Sequence, residues 1–253
     1  MRYFIRISFK GSAYSGWQRQ ENAPSVQAAL EHALSLYLSE PVEVCGAGRT
    51  DAGVHALHYI AHFDSNQLDI LDRHIDYVYK LNAILPSDIS VHAMTLVSPD
   101  AHARFDALLR SYQYYIHLVK NPFVQEFSLF CPYLLNLDDM NQAAALLLGT
   151  HDFSAFAKLH SNNKTDVCTV TKALFTPVSS EYYSGILFEI SANRFLRNMV
   201  RAIVGTLIDV GRGKIAPEGI LSVLSKKDRN AAGTSVSAQG LFLYKIDYPY
   251  PVL

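Results

Sequence analysis

The feature that most constrains the fold is a glycine-rich segment that lies between two apolar runs. Residues 45–55 read CGAGRTDAGVH, and residues 42–45 and 57–63 have the composition of strands. A segment of this kind is expected to be the loop that connects two strands. Its glycines let backbone amides approach a partner closely, and strands at both ends make it a rigid mount for one reactive side chain.

Asp51 is the carboxylate at the centre of this loop, and Arg49 lies two residues before it. A guanidinium in this position can stabilise a carboxylate anion or grip an anionic ligand. The pair is a candidate for nucleophilic or acid–base chemistry on a polyanion or a sugar. A tight turn with a local salt bridge accounts for the same residues, because turns favour Asp and Gly.

Composition narrows the class of protein. The 253 residues are 49% hydrophobic and 18% charged, with a formal net charge of −1, as in an ordinary globular protein. No apolar run approaches the roughly 18–20 residues of a membrane span, and the first residues resemble a strand and not a signal peptide. The three cysteines, Cys45, Cys131 and Cys168, are widely spaced. We therefore expect a cytoplasmic protein in a reducing compartment, without a zinc site.

Common cofactor motifs are absent from the sequence. It has no Walker loop, no G-x-G-x-x-G dinucleotide turn and no serine nucleophile elbow. His55, His58 and His62 would line one side of a helix like metal ligands, but with a strand here His55 faces away from the other two or lies before the strand begins. An enzyme with this sequence is expected to work without a cofactor or a metal, using a carboxylate, arginines and an aromatic residue.

Hydrophobic periodicity predicts the order of secondary structure. Residues 1–105 are expected to form β-α-β-β-α-β, with strands over 3–10, 42–45, 57–63 and 89–97 and helices over 25–38 and 70–84. Residues 106–253 repeat this order with one extra helix, with strands over 110–119, 167–177, 186–192 and 240–248 and helices over 138–148, 195–210 and 217–224. This order is that of the ferredoxin-like unit. We therefore expect an α+β protein with two ferredoxin-like (βαββαβ) halves, 1–105 and 106–253, whose sheets lie side by side around a central catalytic cleft.

Two segments have the residues expected for contact with nucleic acid. On a helix over 193–210, Arg194, Arg197 and Arg201 would fall within a stripe of roughly 60°, suited to tracking phosphates or clamping a carboxylate. An ordinary solvated helix face explains the same pattern. Trp17 and Gln18 follow a glycine-containing loop and suit contact with bases and phosphates. A packed tryptophan with polar neighbours is the alternative.

Several motifs in order resemble those of a known family. Residues 48–56, GRTDAGVHA, are similar to the signature of the tRNA pseudouridine synthases that modify uridines 38–40 of the anticodon arm. Further resemblances lie at residues 14–20, 102–107, 111–114, 195–201 and 240–243, so the likeness extends along nearly the whole chain.

The resemblance implies a two-domain α/β fold, a homodimer, a tRNA anticodon stem-loop as partner, and no cofactor or metal. It implies that Asp51 is the nucleophile, Arg49 its partner in the loop and Tyr112 the residue near the target base. It further implies that Arg201 is an active-site cation and that Leu241 is part of an apolar pocket wall. The chain departs from the family pattern at Cys168 and at residues 235–239, which affects details of RNA contact.

Two other classes of protein fit parts of the pattern. A non-catalytic RNA-binding protein with two ferredoxin-like halves would need the arginines and aromatic residues but would tolerate the loss of the Asp51 carboxylate. A glycosidase would normally need a second carboxylate about 5–9 Å from the first, and the sequence nominates none.

Overall fold

A computed structural model describes residues 1–67, 70, 72–159, 164–181 and 183–252. Its contacts divide the chain into two compact units. Unit 1 comprises residues 1–108 and 243–253, and unit 2 comprises residues 109–242. This division differs from the expected halves because the segment after residue 242 belongs to unit 1. In the described part of the chain, ten strands and five α-helices form an α+β structure, as the sequence predicts.

Unit 1 has the predicted element order β-α-β-β-α-β. Its elements are β1 (Arg2–Phe9), α1 (Val26–Leu38), β2 (Val44–Gly46), β3 (His55–Asp64), α2 (His74–Ile84) and β4 (Ile89–Val97). Strand β1 is antiparallel to both β3 and β4, and β2 pairs antiparallel with β3. Leu71, within the predicted helix 70–84, lies outside the described residues.

The first and last segments of unit 1 contact each other through aromatic side chains. Phe4 of β1 is fully buried, and its ring meets that of Tyr248 edge-on at 5.5 Å. The Tyr248 hydroxyl donates a hydrogen bond to the Ala103 carbonyl at 2.6 Å, and the Tyr250 hydroxyl donates to Asp106 Oδ2 at 2.6 Å. The segment that follows unit 2 is therefore an integral part of the unit 1 core.

Unit 2 is built on an antiparallel sheet in the order β5-β9-β8-β7. Its elements are β5 (Leu109–His117), β6 (Leu129–Phe130), α3 (Leu137–Ala145), β7 (Gly149–Asp152), β8 (Val167–Ser179), β9 (Ser184–Ala192), α4 (Met199–Gly211) and α5 (Gly219–Lys226). Strand β10 (Leu241–Asp247) begins in unit 2 and carries the chain into unit 1. The short strands β6 and β7 were not expected from the sequence.

Helix α4 begins later than the sequence predicts, at Met199. Asn198 has φ +67°, a left-handed conformation that a right-handed helix excludes, and its side-chain amide donates to Ser235 Oγ at 2.6 Å. Arg194 and Arg197 thus precede the helix, and Arg201 alone of the three arginines lies on it. The prediction of an arginine stripe on one helix face is therefore wrong.

Candidate active site

The glycine-rich segment is the connection between two strands, as predicted. Strand β2 ends at Gly46 and β3 begins at His55, so residues 47–54 form the loop that carries Asp51. Asp51 is partly exposed and Arg49 is exposed. We call residues 47–54 the Asp51 loop.

One side of the Asp51 loop is attached to β3 through Tyr59. The Tyr59 hydroxyl donates to the carbonyl oxygen of Gly48 and accepts a longer bond, 3.4 Å, from the Gly48 N–H. Tyr59 is fully buried, and its ring stacks on Trp17 with 4.2 Å between the centroids. Because both polar groups of one loop residue bond to a buried side chain, the start of the loop has little freedom.

The other side of the loop is held by the segment that follows β1. The backbone N–H of Trp17 donates to the Thr50 carbonyl, and the backbone N–H of Gly53 donates to the Tyr14 carbonyl, both at 3.4 Å. Gly16 has φ +100°, and a Cβ atom there would collide with the Thr50 carbonyl oxygen. Glycine at position 16 thus permits the close approach of the two backbones. Asp51 is therefore presented by a backbone that is anchored before and after it.

Trp17 supports this loop and does not lie at a surface where it would meet a base. It is 3% exposed, and a Cβ on Gly46 would run into its indole ring. The structure thus favours the packed tryptophan over the expected contact with nucleic acid, because the indole fills the space between Gly46 and Tyr59. Gln18, by contrast, is exposed.

The predicted residues of unit 2 lie on three of its elements. Tyr112, on β5, is partly exposed and meets the ring of Phe195 edge-on at 5.1 Å. Arg201, on α4, is also partly exposed, and its Nε donates to the Val236 carbonyl at 2.7 Å, which fixes the direction of the guanidinium. Leu241, the first residue of β10, is buried.

Three more residues of unit 2 belong to the sequence predictions about RNA contact. Arg197 is exposed and Arg194 is partly exposed. Cys168, a departure from the family pattern, is fully buried on β8, and burial raises the pKa of its thiol to about 11. Cys168 therefore contributes no charge to a nucleic-acid surface at neutral pH.

Sequence reasoning missed a cluster of three side chains in unit 1, Cys45, His62 and His102. One potential ligand atom from each lies within 4.8 Å of the other two, and Cys45 Sγ is 3.9 Å from His102 Nε2. The sequence predicted no metal site, since these residues form no spacing motif. Each of the three lies in a segment that the sequence singles out: Cys45 in the Asp51 segment, His62 in the strand after it, and His102 in a motif shared with the family. Nothing else in the sequence indicates that they meet.

Hydrogen bonds to the two imidazole rings argue against a metal in this cluster. His62 Nδ1 accepts from the Ala103 N–H at 3.1 Å, and His102 Nδ1 accepts from two backbone N–H groups at 3.1 and 3.2 Å. A nitrogen that accepts such bonds carries no proton, so each neutral ring holds its proton on Nε2, the atom a metal would need. Burial lowers the pKa of His62 to about 4 and also lowers the pKa of His102. The rings are thus neutral, and His62 joins β3 to the loop at residue 102 by accepting a hydrogen bond from the Ala103 N–H.

Comparison with known proteins defines the class. The sequence model of the tRNA pseudouridine synthase family matches residues 143–249. Proteins called tRNA pseudouridine synthase A from Bacteroides thetaiotaomicron, Bacteroides fragilis and Bacillus subtilis are 48%, 46% and 37% identical to this chain. These alignments cover 98%, 99% and 98% of this chain and 91%, 98% and 99% of the relatives. The chain belongs to the tRNA pseudouridine synthase A family, a family of isomerases, and the resemblance inferred from the motifs is confirmed.

Among the described residues, helices long and apolar enough to cross a membrane are not found.

Proposed function

We propose that this protein isomerises uridine to pseudouridine at positions 38, 39 and 40 of the tRNA anticodon stem-loop, with Asp51 as the nucleophile. The observation that carries the proposal is the anchored, partly exposed Asp51 in a loop with the family signature. Membership of the tRNA pseudouridine synthase A family supports the reaction and the substrate class.

The reaction breaks the bond between ribose C1′ and uracil N1, turns the base, and joins C1′ to C5. All atoms are retained, so the reaction consumes no second substrate. Asp51 attacks C1′, or it promotes departure of uracil through a glycal intermediate, with attack at uracil C6 as a third route. Each route needs a carboxylate held in a fixed position, which is the role that the two anchors of the Asp51 loop support.

The target base has to leave its stack, which costs a few kcal/mol. We assign Arg49 to the space that the flipped base leaves in the stack, or to a neighbouring phosphate. The exposure of Arg49 suits both roles. Tyr112 is assigned to the flipped uracil, by stacking or by carrying the C5 proton. Arg201 supplies an oriented cation, and Leu241 supplies an apolar wall that excludes water.

Further parts of the proposal concern the surroundings of the reaction. Exposed Gln18 and Arg197, with Arg194, are assigned to the anticodon stem as contacts to phosphate. The proposal also includes a homodimer, a cytoplasmic location, no metal or cofactor, and a ferredoxin-like topology for each half. The strand order β4-β1-β3, with β2 beside β3, supports that topology in unit 1.

A single assay tests the proposal against a non-catalytic RNA-binding protein. Purified protein is incubated with an unmodified tRNA transcript that has uridine at positions 38, 39 and 40, and pseudouridine is read at each position. We expect pseudouridine at these positions and unchanged uridine elsewhere. Tight binding of the transcript without pseudouridine would favour the binding protein and would overturn the proposed function.

A further inference from the structure

Four aromatic rings of unit 1 form a column that runs from the core to the surface. The ring of Phe4, which is fully buried, stacks on the ring of His62 with 6.2 Å between the centroids. The His62 ring meets that of His102 at 4.7 Å, and the His102 ring lies 4.2 Å from that of Phe105. Phe105 is 74% exposed. The outer end of this aromatic column is therefore a phenyl ring that solvent reaches and that a histidine ring supports from within.

The loop that carries Phe105 is held by hydrogen bonds on both sides of the ring. His102 Nδ1 accepts from the backbone N–H groups of Arg104 and Phe105, at 3.1 and 3.2 Å. Asp106 Oδ2 accepts from the backbone N–H of His102 at 2.7 Å and from the Tyr250 hydroxyl at 2.6 Å. The loop is therefore formed before any ligand arrives, so that little ordering is needed on binding.

The surroundings of the exposed ring suit a flat ligand better than a second protein. In the loop between β4 and β5, residues 98–108, the exposed large apolar side chains are Phe105 and Leu108. A protein interface is usually marked by a contiguous apolar patch of more than roughly 300 Å². The guanidinium of the exposed Arg104 lies 5.7 Å from the centroid of the Phe105 ring, a distance at which it still leaves the ring largely accessible. One aromatic ring with polar neighbours matches the face of a single nucleic-acid base.

We propose that Phe105 stacks on an unpaired base of the substrate RNA. Unpaired bases of RNA are commonly held by stacking on aromatic side chains, and every base has a flat face that such a ring can meet. A base on Phe105 extends the aromatic column by one member. The identity of the RNA as tRNA rests on the proposed function. The contact deepens that function by giving a role to the family motif at residues 102–107, to which the reaction itself assigns none.

The test is the affinity for an unmodified tRNA transcript at several salt concentrations. Phe105→Ala should weaken binding roughly tenfold or more, the scale of one lost base–aromatic contact. The slope of log affinity against log salt should stay unchanged, because no phosphate contact is lost. Phe105→Tyr should retain the affinity, whereas Phe105→Leu, which is apolar but has no flat ring, should lose nearly as much as the alanine variant. Phe123→Ala is the matched control, since Phe123 is an 86% exposed phenylalanine of unit 2, and it should bind like the wild type.

Unchanged affinity of Phe105→Ala, wild-type affinity of Phe105→Leu, or an equal loss in Phe123→Ala would overturn the stacking contact. A change in the molecular mass of Phe105→Ala, measured by light scattering, would assign the ring to a protein contact and would also overturn it. The two proposals fail in different ways. Wild-type protein that binds tRNA with this Phe105 dependence but forms no pseudouridine refutes the enzyme and leaves the stacking contact. Wild-type protein that forms pseudouridine while Phe105→Ala binds normally refutes the stacking contact alone.

Discussion

The Tyr59 hydroxyl donates a hydrogen bond to the carbonyl oxygen of Gly48, three residues before Asp51. Tyr59 is itself held in place. Its buried ring stacks on the indole of Trp17, and the backbone N–H of Trp17 donates to the Thr50 carbonyl. A strand residue, an indole ring and the loop backbone thus form one connected support for the carboxylate.

Tyr59→Phe should lower kcat for pseudouridine formation by tenfold or more, because small misplacements of a reacting group cost up to about 10²-fold. Stability should fall by only about 1 kcal/mol, the usual net contribution of one hydrogen bond. Tyr183→Phe is a matched control, since its hydroxyl donates to the Ile116 carbonyl at 2.7 Å in unit 2. Chemical denaturation and steady-state kinetics measure both effects. Equal kcat for the two variants would show that Tyr59 does not position Asp51.

Asp51→Asn should reduce turnover by roughly 10⁴-fold or more, because a nucleophile contributes on this scale. Folding and tRNA affinity should stay close to those of the wild type, since the amide has nearly the same shape as the carboxylate. Release of tritium from tRNA labelled at uridine C5 measures turnover, and a binding titration measures affinity. Retained turnover would remove Asp51 from the role of nucleophile.

Tyr112→Phe should lower kcat about 10²-fold and change the tRNA Kd little, because a general acid or base contributes about 10²–10⁴-fold and the phenyl ring still stacks. The edge-on contact with Phe195 at 5.1 Å is kept in this variant. Single-turnover kinetics at saturating enzyme separate chemistry from binding. Comparable losses in kcat and affinity would argue that Tyr112 acts by stacking alone.

His62 should make the protein less stable below neutral pH. Burial and the neighbouring Arg2 disfavour the charged ring and lower its pKa from the ordinary 6.5 to about 4 in the folded state. The unfolded chain therefore binds the proton first, and as pH falls from about 6.5 to about 4 the folded state loses up to about 3 kcal/mol. Other ionisable groups that influence the ring are His102, Asp64 and Asp106.

His62→Asn isolates this effect, because the amide oxygen can accept from the Ala103 N–H in place of Nδ1. The free energy of unfolding of this variant should depend less on pH between 6.5 and 4 than that of the wild type. The two curves of unfolding free energy against pH should therefore approach each other as the pH falls. Urea denaturation at a series of pH values measures both curves. Parallel curves would exclude His62 as the source of the acid sensitivity.

The features predicted correctly from the sequence are those that local chemistry determines. Alternating side chains define β1, and glycines between two apolar runs define the Asp51 loop. The predicted start of α4 is wrong because Asn198 takes a left-handed conformation while its side chain bonds to Ser235, which is distant in sequence. Helical periodicity continues through such a residue and gives no sign of the interruption.

The role of Trp17 could not be decided from the sequence because its burial depends on Tyr59 and Gly46, which meet it only in the fold. The cluster of Cys45, His62 and His102 was missed for the same reason. The two-residue strand β6 exists through its parallel pairing with β5, and so short a segment has no periodicity of its own.

The insertion of unit 2 between residues 108 and 243 has a consequence for biosynthesis. A ribosome releases β1 to β4 long before it has made Tyr248 and Tyr250, whose hydroxyls bond to Ala103 and Asp106. The nascent chain thus holds an incomplete first unit, in which Phe4 lacks the rings of Tyr248 and Tyr250, until translation has passed through the whole of the second unit. A stalled or prematurely terminated chain is then expected to expose apolar surface to chaperones and proteases.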